Sequence, residues 1–215
     1  TAWSTVRHDA YARDLALVVL AFAVLSVTRD YLFRQRASVA LDEKQMAVLF
    51  ASLQLWTGIF CAGFQLVLAE RMLRQVGIFR YLALVPGLLA ALAVASLFDK
   101  GLTSSWALKL FEGSAMFSLV PVAMQLLYAP LKDDVRDGVR SVIDGFLRKG
   151  GLAVGGVLLL LTQGFASYTV SVVVLAVACV GLGLLLVRLQ RGYVNALQHQ
   201  VAGVGSAQLG FAEES

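Results

Sequence analysis

Between Tyr168 and Val187 the chain runs for twenty residues without a charged side chain. A run of about 20 apolar residues matches the ~30 Å hydrocarbon core of a bilayer, and a helix is the one local fold that satisfies its own backbone there. Comparable runs recur along the sequence and give six candidate spans, at about 14–35, 46–69, 80–98, 104–130, 141–162 and 168–187. Composition agrees: 59% of residues are hydrophobic and 15% charged, with mean hydropathy +0.76. Soluble domains run at roughly 45–50% apolar and about 25% charged. The expected fold is an all-α polytopic membrane protein of six transmembrane helices. Residues 1–13 read as a cytoplasmic N-terminal segment, 14–190 as the transmembrane domain, and 191–215 as a cytoplasmic tail, with Gly203-Val204-Gly205-Ser206 starting a linker.

The connections alternate in charge. Arg7, Arg13, Arg71, Arg74, Arg80, Lys132, Arg136, Arg140, Arg148, Lys149, Arg188 and Arg191 are twelve of the eighteen Lys and Arg, and all fall on one side of the predicted topology. Arg36, Lys44 and Lys100 fall on the other. Because Lys and Arg concentrate in cytoplasmic loops, both termini are expected in the cytoplasm. The net charge of +4 therefore reflects topology rather than a nucleic-acid surface. The stretch from Lys132 to Lys149 mixes five positive with four negative residues, a solvated face rather than a polybasic lipid patch. The N-terminus lacks an apolar signal core and an initiator Met, so the chain reads as a segment of a longer one, with a further domain expected beyond Ser215.

Cys61 and Cys179 lie in apolar runs, and His8 and His199 near opposite ends, so neither a disulfide framework nor a metal cluster is indicated. No nucleophile–base set, HExxH or phosphate loop occurs, and the expectation is a protein without enzymatic activity or cofactor. Gly150-Gly151 and Gly155-Gly156 form a small-xxx-small pattern that lets a neighbouring helix approach.

Charges inside spans cost about 2.5–3.5 kcal/mol each on insertion scales and mark functional positions by default. Arg29, Asp30 and Arg34 lie in the second half of the first span, with Asp30 and Arg34 spaced to share a helix face; they read either as an internally neutralised cluster snorkelling to the outer interface or as the lining of a cavity. Lys109 and Glu112 share a face of the fourth span, where they pair with each other or line a path opposite Arg29 or Arg34. Gln54 and Gln65 in the second span and Gln125 in the fourth are weaker signals, since glutamines often bond a neighbouring helix.

Three segments resemble the ATP/ADP translocase (nucleotide transporter) family of the major facilitator superfamily. They are Asp30-Tyr31-Leu32-Phe33-Arg34, then Tyr128-Ala129-Pro130-Leu131, then Ile143-Asp144-Gly145 with Lys149 and Gly151. The loop Ala69-Glu70-Arg71 with Gly77 and Arg80 loosely resembles the superfamily's acidic-basic-glycine loop. The resemblance implies the C-terminal six-helix half of a twelve-helix transporter in a bacterial inner membrane. Its partners would be membrane lipid, an N-terminal six-helix half and a cytoplasmic regulatory domain. At the positions where the exchangers carry a Lys-Glu pair this chain has Met124 and Gln125, which leaves Arg29, Arg34 and Lys109 as the cations of these spans.

The function expected from this reading is alternating-access transport of an anionic or amphipathic solute, nucleotide-like by resemblance. Arg29, Arg34 and Lys109 would meet the solute's charge, Asp30 and Glu112 would balance them, and Gln54, Gln125 and Tyr128 would supply neutral hydrogen bonds. The alternative is a non-transporting sensor or scaffold that anchors cytoplasmic domains or binds lipid or a protein. The charge asymmetry makes one direct prediction. In spheroplasts, cysteines placed at Ser4 and Ser206 stay unlabelled by an impermeant maleimide, whereas one at Ser38 reacts; the reverse pattern would invert the topology.

Overall fold

The computed structural model describes residues 2–67, 77–99, 102–131, 133–162 and 168–213. Ala69, Glu70, Arg71, Arg74, Lys100 and Lys132 lie outside the described residues. Within them every regular element is a helix and no strand occurs. A short helix α1 (Ala2–His8) leads into α2 (Ala10–Ala40), followed by α3 (Glu43–Val67), α4 (Ile78–Phe98) and α5 (Thr103–Leu127). Helix α6 covers 133–162 and α7 is Tyr168–Glu213. Two single π-helical stretches interrupt this pattern, Ala115–Leu119 in α5 and Ser141–Leu147 in α6.

Local chemistry sets the helix ends. Asp9 caps α2 by accepting the amides of Tyr11 at 2.8 Å and Ala12 at 3.3 Å, which satisfies donors the first turn leaves free. The break after Ala40 restarts at once: Asp42 accepts the Gln45 amide while the Gln45 side chain accepts that of Asp42, a reciprocal cap that opens α3. Asp99 ends α4 and accepts both the amide and hydroxyl of Ser104, tying the end of α4 to the start of α5.

Packing follows stripes of spacing three and four. Leu82, Val85, Leu89 and Ala93 of α4 and Leu175, Cys179, Leu182, Leu186 and Leu189 of α7 are buried against one another and against Leu15, Val18 and Phe22 of α2. The outer faces are equally apolar: Val173, Val174, Val177, Val180 and Leu184 of α7 are exposed, as are Leu55, Trp56, Ile59 and Phe60 of α3. A helix apolar all round belongs in lipid or in a large core. Five helices, α2 to α5 and α7, are long and apolar enough to cross a membrane. The protein is a membrane-embedded helical bundle.

The expected fifth span, 141–162, departs from this. It is helical, but its regular α-helical part, Arg148–Thr162, is 15 residues long, and α6 is not among those five helices. Asp144, Arg148 and Lys149 shorten its uncharged run. Nor does the chain break at Gly203–Ser206, since α7 continues to Glu213. Glycine costs a helix about 1 kcal/mol but, unlike proline, keeps its amide donor. The N-terminal segment contains α1 and the first turn of α2.

The charged connections gather at the two ends of the bundle. At one end Arg188 meets Asp14 at 2.8 Å, the Tyr11 hydroxyl donates to the Leu127 carbonyl, and Tyr193 contacts the rings of Tyr11 and Phe79. At the other, Arg36 donates to the carbonyls of Ser96 and Asp99 and to the Tyr168 hydroxyl, holding α2, α4 and α7 together.

Gly151 and Gly155 bring α6 against α2. A Cβ on Gly151 would sit 2.9 Å from the Ala23 Cβ, and one on Gly155 3.3 Å from Val24 Cα, whereas Gly150 and Gly156 have nothing within 4 Å. Gly151→Leu is therefore expected to lower the melting temperature in detergent, by overpacking of about 1–3 kcal/mol, while Gly150→Leu melts like the parent.

Candidate functional site

Helices α2 and α5 cross where each carries its in-span charges, and the crossing assembles them into one alternating chain. Arg34 Nε lies 2.8 Å from Asp30 Oδ2, and Asp30 Oδ1 lies 3.0 Å from Lys109 Nζ. Lys109 Nζ is 2.9 Å from Glu112 Oε2, and Glu112 Oε1 is 3.2 Å from Arg29 Nη2. The Ser26 hydroxyl, one turn before Arg29, donates to Glu112 Oε1 at 2.9 Å. Exposure rises along the chain, from 1% at Arg29 and 3% at Glu112 through 24% at Lys109 and 36% at Asp30 to 66% at Arg34. The Arg29–Glu112 pair is thus the dry anchor and Arg34 the solvated end.

This gradient matters energetically. Two charges removed from water repay their desolvation only with close geometry and further hydrogen bonds. Glu112 has three such partners. Arg29 is less well served: it contacts Glu112, yet among the described residues no acceptor meets hydrogen-bond geometry at any of its guanidinium nitrogens. Beside it lies a small pocket of about 10 Å³, lined also by Ser96, Ser105 and Tyr168, the room that one water-sized particle needs.

On its other side the cluster opens on a cleft of about 570 Å³ between α2, α5 and α6. Ser26, Lys109 and Glu112 form its polar end; Asp144 and Arg148 of α6 form a second. Phe22, Met116, Phe117, Met124 and Leu152 line the wall between them. Apolar walls with a few converging polar groups suit a small molecule. Lys109 and Glu112 border both the small pocket and the cleft.

Both π-helical stretches border this cleft, through Met116 and Phe117 on α5 and Asp144 on α6. Such stretches are frequent at functional sites. The one in α5 precedes Pro121, whose missing amide leaves the Phe117 carbonyl, four residues back, without its regular α-helical donor. The Gln65 side chain of α3 donates to that carbonyl at 3.4 Å. Gln65 thus supports the irregular backbone from a neighbouring helix.

Of the residues singled out in the sequence, Arg29, Asp30, Arg34, Lys109 and Glu112 come together. Gln54, Gln125 and Tyr128 do not join them. Gln54 and Gln125 are exposed and border neither the small pocket nor the cleft. Tyr128 is buried in the turn after α5, sixteen residues and so about 24 Å of helix rise beyond Glu112. Ser26 was legible as a polar residue one turn from Arg29. Asp144 and Arg148, an i,i+4 pair, could be reached only by placing α6 on α2. No protein-family model, curated protein or solved structure matches the chain.

Breaking a buried pair strands its partner. Glu112→Gln is expected to destabilise the protein by about 3–5 kcal/mol, because Arg29 keeps a buried charge without its counterion. The double variant Arg29→Met with Glu112→Leu should recover much of that loss. Thermal melts in detergent decide between this coupling and two independent effects.

Proposed function

We propose that this chain is the C-terminal half of a secondary transporter that moves an anionic solute through the cleft by alternating access. What supports the reading is the cleft itself, in which Lys109 and Glu112 close one polar end and Asp144 with Arg148 the other. A solute carrying an acidic group would exchange its water for Lys109, whose ammonium already bridges Asp30 and Glu112 and would shift toward the stronger anion. Arg34, largely exposed beside Asp30, would meet a second charge. The aromatic and thioether side chains of the wall would take an apolar or ring portion, consistent with a nucleotide-like solute.

In this reading α6 is the sixth crossing. The charges that shorten its apolar run, Asp144 and Arg148, border the cleft, and Gly151 and Gly155 set it against α2. Charged residues in spans usually face such cavities. Both termini then lie in the cytoplasm, where the basic connections collect. An N-terminal six-helix half would cover the open side, and rocking of the two halves about the cleft would expose it alternately.

Uptake by the full-length protein in proteoliposomes tests this, using labelled nucleotides and other organic anions. Lys109→Met, at a half-buried position, should reduce uptake at least tenfold while its melting temperature stays near the parent's. Uptake of no anion by the parent, or full uptake by a folded Lys109→Met variant, would favour a non-transporting module.

A further inference from the structure

A second pocket lies away from the charged cluster, where α1, the start of α2 and α6 meet. It has a volume of about 330 Å³ and is lined by Trp3, Val6, Arg7, Arg13, Leu17 and Leu20 among others. Arg7 and Arg13, both exposed, are set among otherwise apolar lining residues. Neither the Arg7 nor the Arg13 side chain has an ion-pair or hydrogen-bond partner among the described residues, although Asp9 and Asp14 stand next to them in sequence. Those acids are engaged elsewhere: Asp9 caps α2, and Asp14 pairs with Arg188. Among the described residues no acidic one lines the pocket.

The position is interfacial. Arg7 and Arg13 flank the first turn of the first membrane helix, and Trp3, half exposed, packs edge-on against the exposed Phe146 at 5.9 Å. Tryptophan concentrates at the headgroup level of bilayers. Leu17 and Leu20 continue down α2 toward the membrane interior, over about one further turn of helix. The groove thus offers positive charge at headgroup depth and an apolar track below it.

We propose that this groove binds an anionic phospholipid, its phosphate held between Arg7 and Arg13 and one acyl chain laid along Leu17 and Leu20. A free phosphate would leave the apolar track unfilled, and a zwitterionic lipid would bring its own cation to two unpaired arginines. Basic pockets at the cytoplasmic ends of membrane helices take anionic headgroups in this way. The site stands independently of the transport reading, because it uses none of the cleft residues.

The test compares the full-length protein in nanodiscs and by native mass spectrometry. Phosphatidylglycerol is expected to be retained through gentle delipidation and to raise the melting temperature; phosphatidylcholine is not. Each interfacial arginine is worth about fivefold in lipid affinity, so Arg7→Gln with Arg13→Gln should lose roughly thirtyfold. The matched variant Arg80→Gln with Arg191→Gln, which removes the same charge from the same end, should bind as the parent does. Equal retention of both lipids, equal stabilisation by inorganic phosphate alone, or equal losses in the two double variants would each overturn the site.

Discussion

A carboxylate and a guanidinium, each almost wholly removed from water, hold the centre of this bundle. Glu112 and Arg29 join α5 to α2, and every other charge at the crossing is placed relative to them. In a low-dielectric surrounding such a pair has few alternatives: either both partners stay together or one remains as an uncompensated charge. That constraint fixes the rotation of α5 about its axis. With Glu112 turned to Arg29, Lys109 falls against Asp30, and the next turns of α5 present Met116, Phe117 and Val120 to the cleft. The shape of the cleft follows from the pairing.

The bundle divides its labour between tight and irregular contacts. Helices α2, α4 and α7 pack through regular apolar stripes and are fastened at one end by Arg36 and at the other by the Asp14–Arg188 pair. Helices α5 and α6, which bound the cleft with α2, each contain a π-helical stretch. Regular helices give a stiff wall. The irregular ones bring Lys109, Glu112, Asp144 and Arg148 to the cleft, and Gln65 from α3 supplies a donor that a straight helix would have supplied from within.

Much of this was legible in the sequence, and the exceptions are informative. Runs of apolar residues located five membrane helices because length and hydropathy are local properties. The charges at Arg29, Asp30, Arg34, Lys109 and Glu112 stood out because a charge in a span is costly wherever it sits. Where Gln54, Gln125 and Tyr128 sit relative to the charged cluster was not legible, since polarity alone does not say which way a side chain faces, and a neutral amide can tolerate an outer face. Arg148 reads in the sequence as a topology signal and Asp144 as part of a family resemblance; their place in the cleft depends on Gly151 and Gly155 drawing α6 onto α2, a contact between segments more than a hundred residues apart.

The π-helical stretch in α5 has a consequence for how this helix tolerates change in length. A single π turn accommodates one extra residue in an otherwise regular helix. Losing any one residue between Ala115 and Leu119 would therefore leave a continuous, well-bonded α-helix whose later turns keep nearly their present facing relative to Glu112, because the π turn already takes up the extra residue. Met124 and Pro121 would stay at the cleft, whereas a residue lost from a regular turn between Glu112 and Ala115 would turn everything after it by about 100°. The lining of the cleft is thus set by a counting rule as well as by residue identity: a one-residue deletion in a regular turn would re-address the wall, and one inside the π stretch would not.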